Sequence, residues 1–262
     1  MTVEPIEVNG LTYAYPDGRA AINDVSLSLR AGESLGIIGP NGAGKTTLFL
    51  LIAGLLSPQH GSIRVLGKSY ESGNGRDIRR HIGFVFQETE DQLFSPTVYD
   101  DVAFGPVNFG FAREEVAESV GYALDVVGLA GFDDRVPHHL ASGERRRVAL
   151  ATVLSYHPDL LILDEPTSDL DPRGRRELVE RLTDTSQARL VASHDLEFIL
   201  LTCERVLVID DGRIVESGPT VDILTNADLL ETHGLACPLA WKGLGREAIQ
   251  RLIETVKTRR EG

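Results

Sequence analysis

The chain has 262 residues, with 39 acidic side chains against 26 basic ones and a formal net charge of −13. Hydrophobic residues make up 42% of it, enough for a sizeable core and too many for a disordered chain. The acid excess disfavours nucleic acid as a partner, because DNA and RNA phosphates must be neutralised by Lys and Arg.

Two cysteines, Cys203 and Cys237, form no CxxC pair, so neither a disulfide scaffold nor a thiolate cluster is expected. His233 and Cys237 alone are too few for a metal site. The longest apolar run, 48–56, is far shorter than the ~20 residues of a membrane span. Residues 1–5 show no basic leader. If the protein works at a membrane, another chain must supply the membrane part.

In chain order, Ile6, Val8 and Leu11 predict a short strand, closed by the turn signal Tyr13-Ala-Tyr-Pro-Asp-Gly18. Val25, Leu27 and Leu29 alternate with polar residues, as in a half-buried strand. Residues 34–38 read as a short apolar strand. A Gly-rich loop and an apolar helix over about 45–55 follow. Strands are expected at 62–66 and 82–86.

From 88 to 158 the pattern is mostly helical, with helices at 114–127 and 142–155. The second opens on Ser142-Gly-Glu, which is small and cap-like. Strands return at 160–163, 190–192 and 206–209, and the last meets Ile214 and Val215 across a hairpin signal, Asp210-Asp-Gly-Arg. Helices at 173–184 and 196–202 lie between them. Strands alternating with helices predict a mainly parallel sheet covered on both faces, interrupted by a helical insertion. Beyond residue 226, Leu244, Ala248, Ile249, Leu252, Ile253 and Val256 share one helical face. That face suits either packing on its own domain or a dimer contact.

The segment Gly39-Pro-Asn-Gly-Ala-Gly-Lys-Thr46 follows an apolar strand and opens an apolar helix, the context of a phosphate-binding P-loop. Its glycines let successive backbone N–H groups point at phosphate oxygens, and the helix N-terminus adds partial positive charge. Gly39, Pro40, Asn41, Gly42, Ala43 and Gly44 form this cradle. Lys45 is expected on the β- and γ-phosphates, Thr46 on Mg²⁺ and Thr47 on the α-phosphate. The buried run 160–163 ends in Asp164 and Glu165, which a parallel strand delivers beside that loop. Asp164 is the expected Mg²⁺ ligand, and Glu165 the group that orients and deprotonates the attacking water.

These two elements, with Gln87, Leu140-Ala-Ser-Gly-Glu144, Ser168-Asp-Leu-Asp171 and His194, occur in the order and spacing of ABC-transporter ATPases, which residues 3–225 resemble. The resemblance implies an α/β fold. Its P-loop NTPase core, of the RecA-like kind, carries an antiparallel β subdomain. The core is expected over 1–87 and 159–225, a helical signature subdomain over 88–158 and a C-terminal helical extension over 226–262. It further implies ATP and Mg²⁺ as ligands. Tyr15, rather than Tyr13, is expected to stack on adenine. Gln87 is expected on Mg²⁺ and the lytic water, and His194 on the γ-phosphate. Ser142 and Gly143 are expected to complete the site of a second ATPase subunit, in a homodimer or heterodimer. Asp171 resembles the acid of the loop that crosses that interface.

The signature departs from the family's Leu-Ser-Gly-Gly-Gln pattern. Ala141 stands where the serine donates to the opposite nucleotide, so one hydrogen bond on the order of 1.5–3 kcal/mol is missing unless Ser142 supplies it.

The stretch from Phe86 through Asp91-Gln-Leu-Phe94 to Pro106 is similar to the ATPases of energy-coupling-factor importers, which take up transition metals or vitamins. That similarity implies transmembrane scaffold and substrate-binding partners and a place on the cytoplasmic face of the membrane. The alternatives are another ABC transporter class or a soluble ABC ATPase not tied to transport. The stretch between Gln87 and Leu140 is too short for the long coiled coil of repair ATPases.

Overall fold

The computed structural model describes residues 3–70, 73–183, 187–236, 238, 241, 248, 249 and 251. Its centre is a six-stranded sheet of β3 (Ser34–Ile38), β6 (Ile82–Val85), β7 (Leu160–Asp164), β8 (Ala188–Ala192), β9 (Arg205–Asp210) and β10 (Arg213–Pro219). The order is β10-β9-β3-β8-β7-β6. All neighbours are parallel except the β9–β10 hairpin. Asp211 and Gly212 turn that hairpin with φ of 45° and 71°, the left-handed pair of a tight two-residue loop.

Every residue of β3, β7 and β8 is buried, as a parallel sheet covered on both faces requires. Each strand feeds two cores by alternation. Leu35, Ile37, Leu160, Ile162, Leu190 and Ala192 face one, while Ile38, Leu161, Leu163 and Val191 face the other.

The first core is closed by a four-stranded antiparallel sheet and by α1 (Lys45–Ile52). That sheet orders β2 (Ala20–Leu29), β1 (Ile6–Ala14), β4 (His60–Val65) and β5 (Lys68–Ser69). Helix α1 ends earlier than its apolar run suggests, because Gly54 at φ 67° turns the chain. The second core holds α3 (Val98–Asn108), α4 (Arg113–Val126) and α5 (Ser142–Leu154), which pack on one another through residues such as Val102, Val120 and Val148. It also takes α6 (Pro172–Thr183), α7 (Leu196–Thr202), α8 (Thr220–Leu224) and α9 (Ala227–Thr232). A short helix, α2 (Gly75–Arg79), precedes β6.

The cap of α5 differs from the sequence expectation. Ser142 is its first helical residue, and Ala141 takes the capping position without a side-chain acceptor. Glu144 compensates from inside the helix, its Oε2 accepting the Ala141 N–H at 2.9 Å.

In the C-terminal segment, Ile249 is 1% exposed within the second core, and Trp241 packs against it. Leu244, Leu252, Ile253, Val256 and Cys237 lie outside the described residues. His233 is engaged by Asp210, Nδ1 to Oδ2 at 2.8 Å. No helix among the described residues is long and apolar enough to cross a membrane.

Candidate active site

The loop between β3 and α1 is built by glycine. A Cβ on Gly39 would lie 2.0 Å from the Ile209 carbonyl oxygen, and one on Gly44 2.4 Å from that of Ala21. The loop is thereby pressed against β9 and β2. Gly42, at φ 82°, has no heavy atom within 4 Å of its would-be Cβ and opens onto a cleft. This run ends in the N-terminus of α1, where backbone N–H groups lack helical partners.

Lys45 is 9% exposed. Its Nζ donates to the carbonyls of Gly39 at 2.7 Å and Pro40 at 3.0 Å. Burial lowers its pKa, opposed by the charges of Glu165 and Asp164. The ammonium is thus held over the mouth of its own loop.

β7 carries Asp164 to the same edge of the sheet. Thr46 Oγ1 donates to Asp164 Oδ2 at 2.6 Å. Asp164 is 1% exposed, and burial pushes its carboxyl up to about 6. The Thr46 bond opposes that rise, and the neighbouring Glu165 adds to it. Oδ1 of Asp164 is buried with no hydrogen-bond partner among the described residues. A hydroxyl beside a carboxylate with an orphaned oxygen fits a hard divalent cation that completes its shell with water and phosphate oxygens. No group of three or more His, Cys, Asp or Glu is placed to hold a metal unaided among the described residues.

Glu165 follows with φ of 50°, a left-handed conformation that costs a side-chain-bearing residue ~1–2 kcal/mol. It is buried, and its Oε2 accepts from Ser193 Oγ and from the His194 backbone N–H, both at 3.2 Å. The Nδ1 of His194 lies 2.8 Å from the same oxygen.

Tyr15 closes the far end, its hydroxyl 2.9 Å from Thr47 Oγ1. Tyr13 meets the edge of that ring at a centroid distance of 5.2 Å and packs instead against the first core. The cleft so formed has a volume of about 500 Å³. It gathers Tyr15, Asn41, Gly42, Gly44, Lys45, Thr46, Thr47, Gln87, Asp164, Glu165 and His194. Gly39, Pro40 and Ala43 shape the loop from behind. Ser142 and Gly143 sit apart from the cleft at the N-terminus of α5, where a Cβ on Gly143 would come within 3.0 Å of the Asp169 carbonyl. The Asp171 carboxylate caps α6 by accepting the Gly174 N–H at 2.7 Å.

The sequence model of the family described as ABC transporter matches residues 22–168. An ABC transporter ATP-binding protein of Gloeobacter violaceus is 49% identical over 246 residues, 93% of this chain and 100% of its own length. The chain belongs to the ABC transporter ATP-binding family. It is an ABC ATPase of mixed α/β fold. The energy-coupling factor transporter ATP-binding protein EcfA of Methanothermobacter thermautotrophicus is 41% identical over 238 residues, 89% of this chain and 76% of its own. The structure of cbiO1 from Clostridium perfringens, part of the ABC transporter complex cbiONQ, superposes with a TM-score of 0.76 at 34% identity. That match covers 91% of this chain and 98% of the other. The dimeric cassette MJ0796 bound to ADP and Pi also gives 0.76, at 25% identity, over 82% of this chain and 98% of that one.

Two residues at this ABC ATPase's site escape sequence reading: Arg19, which lines the cleft, and Ser193, which bonds to Glu165. Arg19 sets its guanidinium 4.9 Å from the Tyr15 ring centroid, a cation–π distance. The turn at Pro16-Asp-Gly18 folds it back, with the Tyr15 N–H donating to the Arg19 carbonyl at 2.9 Å. The turn signal was the available clue. Ser193, 1% exposed, carried none, because a serine after an apolar strand is commonplace.

Proposed function

We propose that this ABC ATPase binds MgATP in the cleft and hydrolyses it to power an importer of the energy-coupling-factor type. The observation that carries the nucleotide site is the orphaned Asp164 Oδ1, buried beside the Thr46 hydroxyl and within the field of Lys45. Backbone amides of 39–44 cradle the phosphates. Lys45 exchanges its own loop carbonyls for the β- and γ-phosphates. Thr47 contacts the α-phosphate and Tyr15 stacks on adenine. Thr46, Asp164 and Gln87 would hold Mg²⁺, which offsets phosphate charge when bound. Glu165 takes the proton of the attacking water, and His194 contacts the γ-phosphate. Ser142 and Gly143 serve the nucleotide of a second ATPase subunit.

The importer class is supported by the relatives named for energy-coupling-factor transport and by a second surface. An apolar groove of about 390 Å³ lies between the sheet edge and α3. Phe94 and Phe104 line it edge to face at 5.0 Å, and are 60% and 51% exposed. Asp101 sits beneath, 2% exposed, its Oδ1 accepting the N–H groups of Phe94 and Ser95 at 3.1 and 2.9 Å. An exposed aromatic pair on a rigid base is the kind of surface a partner covers. In this reading a transmembrane scaffold docks there, holds the ATPase at the cytoplasmic face of the membrane, and is joined by a substrate-binding subunit. Affinity purification from detergent-solubilised membranes tests it. Wild type should bring down a transmembrane scaffold together with a small integral substrate-binder. The double variant Phe94→Asp, Phe104→Asp should lose both while still binding ATP. Retention by the variant, or capture of a different transporter class, would contradict the reading.

A further inference from the structure

We propose that Arg146 is a positioning residue that fixes Gln87 in the cleft by clamping residues 86–87 to α5, and that Gln92 completes the clamp. The inference rests on the role given to Gln87 above and adds what holds that residue in place.

β6 ends at Val85, so the backbone of Phe86 and Gln87 leaves the sheet with polar groups that need partners. Two side chains supply them. Arg146, 4% exposed near the start of α5, donates from Nη1 to the Phe86 carbonyl at 2.7 Å and from Nη2 to the Gln87 carbonyl at 2.5 Å. Gln92 accepts the Phe86 N–H on Oε1 at 3.1 Å. Its amide nitrogen donates to the Ala149 carbonyl and to Thr152 Oγ1, both on α5, at 2.7 Å each. Donor and acceptor of this junction are therefore both tied to one helix.

The junction sits between three working surfaces. Gln87 lines the nucleotide cleft, while Phe86 and Gln92 line the apolar groove. The helix holding them begins at Ser142-Gly143. A shift of α5 against the sheet must therefore carry Gln87 with it, through charge-assisted bonds about twice as strong as neutral ones. The chemistry calls for arginine. Its planar fork reaches two successive carbonyls at once, whereas a lysine ammonium is a single point charge. Burial lowers the pKa of the cation, and the acids around it, Asp169, Glu88, Asp164 and Glu165, partly oppose that.

The test is a double-mutant cycle on the full chain with Arg146→Lys and Gln87→Ala. Steady-state kcat and KM, affinity for a fluorescent ATP analogue and thermal melting are read on every variant. A clamp acting through Gln87 predicts that Arg146→Lys lowers kcat about tenfold, the loss of one charge-assisted bond, with KM and nucleotide affinity nearly unchanged. The double variant should then be no slower than Gln87→Ala alone. A packing role alone would lower the melting temperature and leave kcat near wild type, which would overturn the clamp. A double variant whose losses multiply would overturn it as well. Gln87→Ala with wild-type kcat would instead overturn the role of Gln87 itself. Should Arg146→Lys fail to fold, Gln92→Ala takes its place in the cycle with the same outcomes.

Discussion

Nδ1 of His194 lies 2.8 Å from Oε2 of Glu165, and that oxygen also takes the histidine's own backbone N–H. A carboxylate only accepts, so Nδ1 carries the proton and Nε2 is left to face a ligand. With Ser193 Oγ on the same oxygen, Oε2 is committed to positioning the 193–194 segment. In the proposed mechanism, proton abstraction therefore falls to Oε1. The proposed general base and the proposed γ-phosphate contact are thus one bonded unit, set by the left-handed turn at Glu165.

The pH dependence of stability should report Asp164. Its folded pKa is held at about 6, above the ordinary carboxylate value of 3.8. The folded state binds this proton more tightly than the unfolded chain. The contribution is therefore full below the unfolded value and lost as pH rises through about 6. Asp164→Asn removes that loss. Without Mg²⁺ the variant should be more stable than wild type at neutral pH, by at most roughly 3 kcal/mol. Denaturant melts between about pH 4 and 8 check this. Wild type should fall relative to the variant up to about pH 6 and then stay below it by a constant amount. Parallel curves would remove burial as the cause.

Two loop glycines should separate folding from binding. Gly39→Ala drives a Cβ onto the Ile209 backbone oxygen at 2.0 Å, a contact with no flexible end to yield. It should cost 1–3 kcal/mol or more of stability, as overpacking does. Gly42→Ala meets nothing within 4 Å. It should cost ~1–2 kcal/mol from its positive φ, and in the proposed binding mode its methyl would intrude where the amides face the phosphates. Urea midpoints and nucleotide titrations on the two variants should rank in opposite order. The same order in both would show that neither glycine is specific to one task.

Tyr15 and Tyr13 should part in the same way. Tyr15→Ala should weaken ATP by about threefold to tenfold, the worth of one aromatic stack. Tyr13→Ala should leave affinity within twofold and lower stability, because its ring packs on the first core. Isothermal titration with ATP reads the difference. Equal losses of affinity would assign the adenine to neither ring.

Much of this was legible in the sequence because it is local. The P-loop pattern, the apolar strand ending in Asp164 and Glu165, and the Asp211-Gly212 hairpin each state their geometry within a few residues. Both core faces of β3 and β7 follow from continuous apolar runs. What was not legible depends on distant groups. Ala141 caps α5 only because Glu144 reaches back to its N–H. Arg146 reads as one of three basic residues on a helix, yet it alone is buried, because the end of β6 arrives beside it.

In the proposed mechanism Glu165 activates water on a nucleotide held by the residues around Lys45. The most direct measurement is phosphate release by Glu165→Gln, with ATP affinity determined on the same sample. Glu165→Gln should slow hydrolysis by roughly 10²–10⁴, the usual worth of a general base, with ATP bound as tightly as by wild type. Phosphate release at the wild-type rate, or ATP affinity lost together with activity, would contradict it.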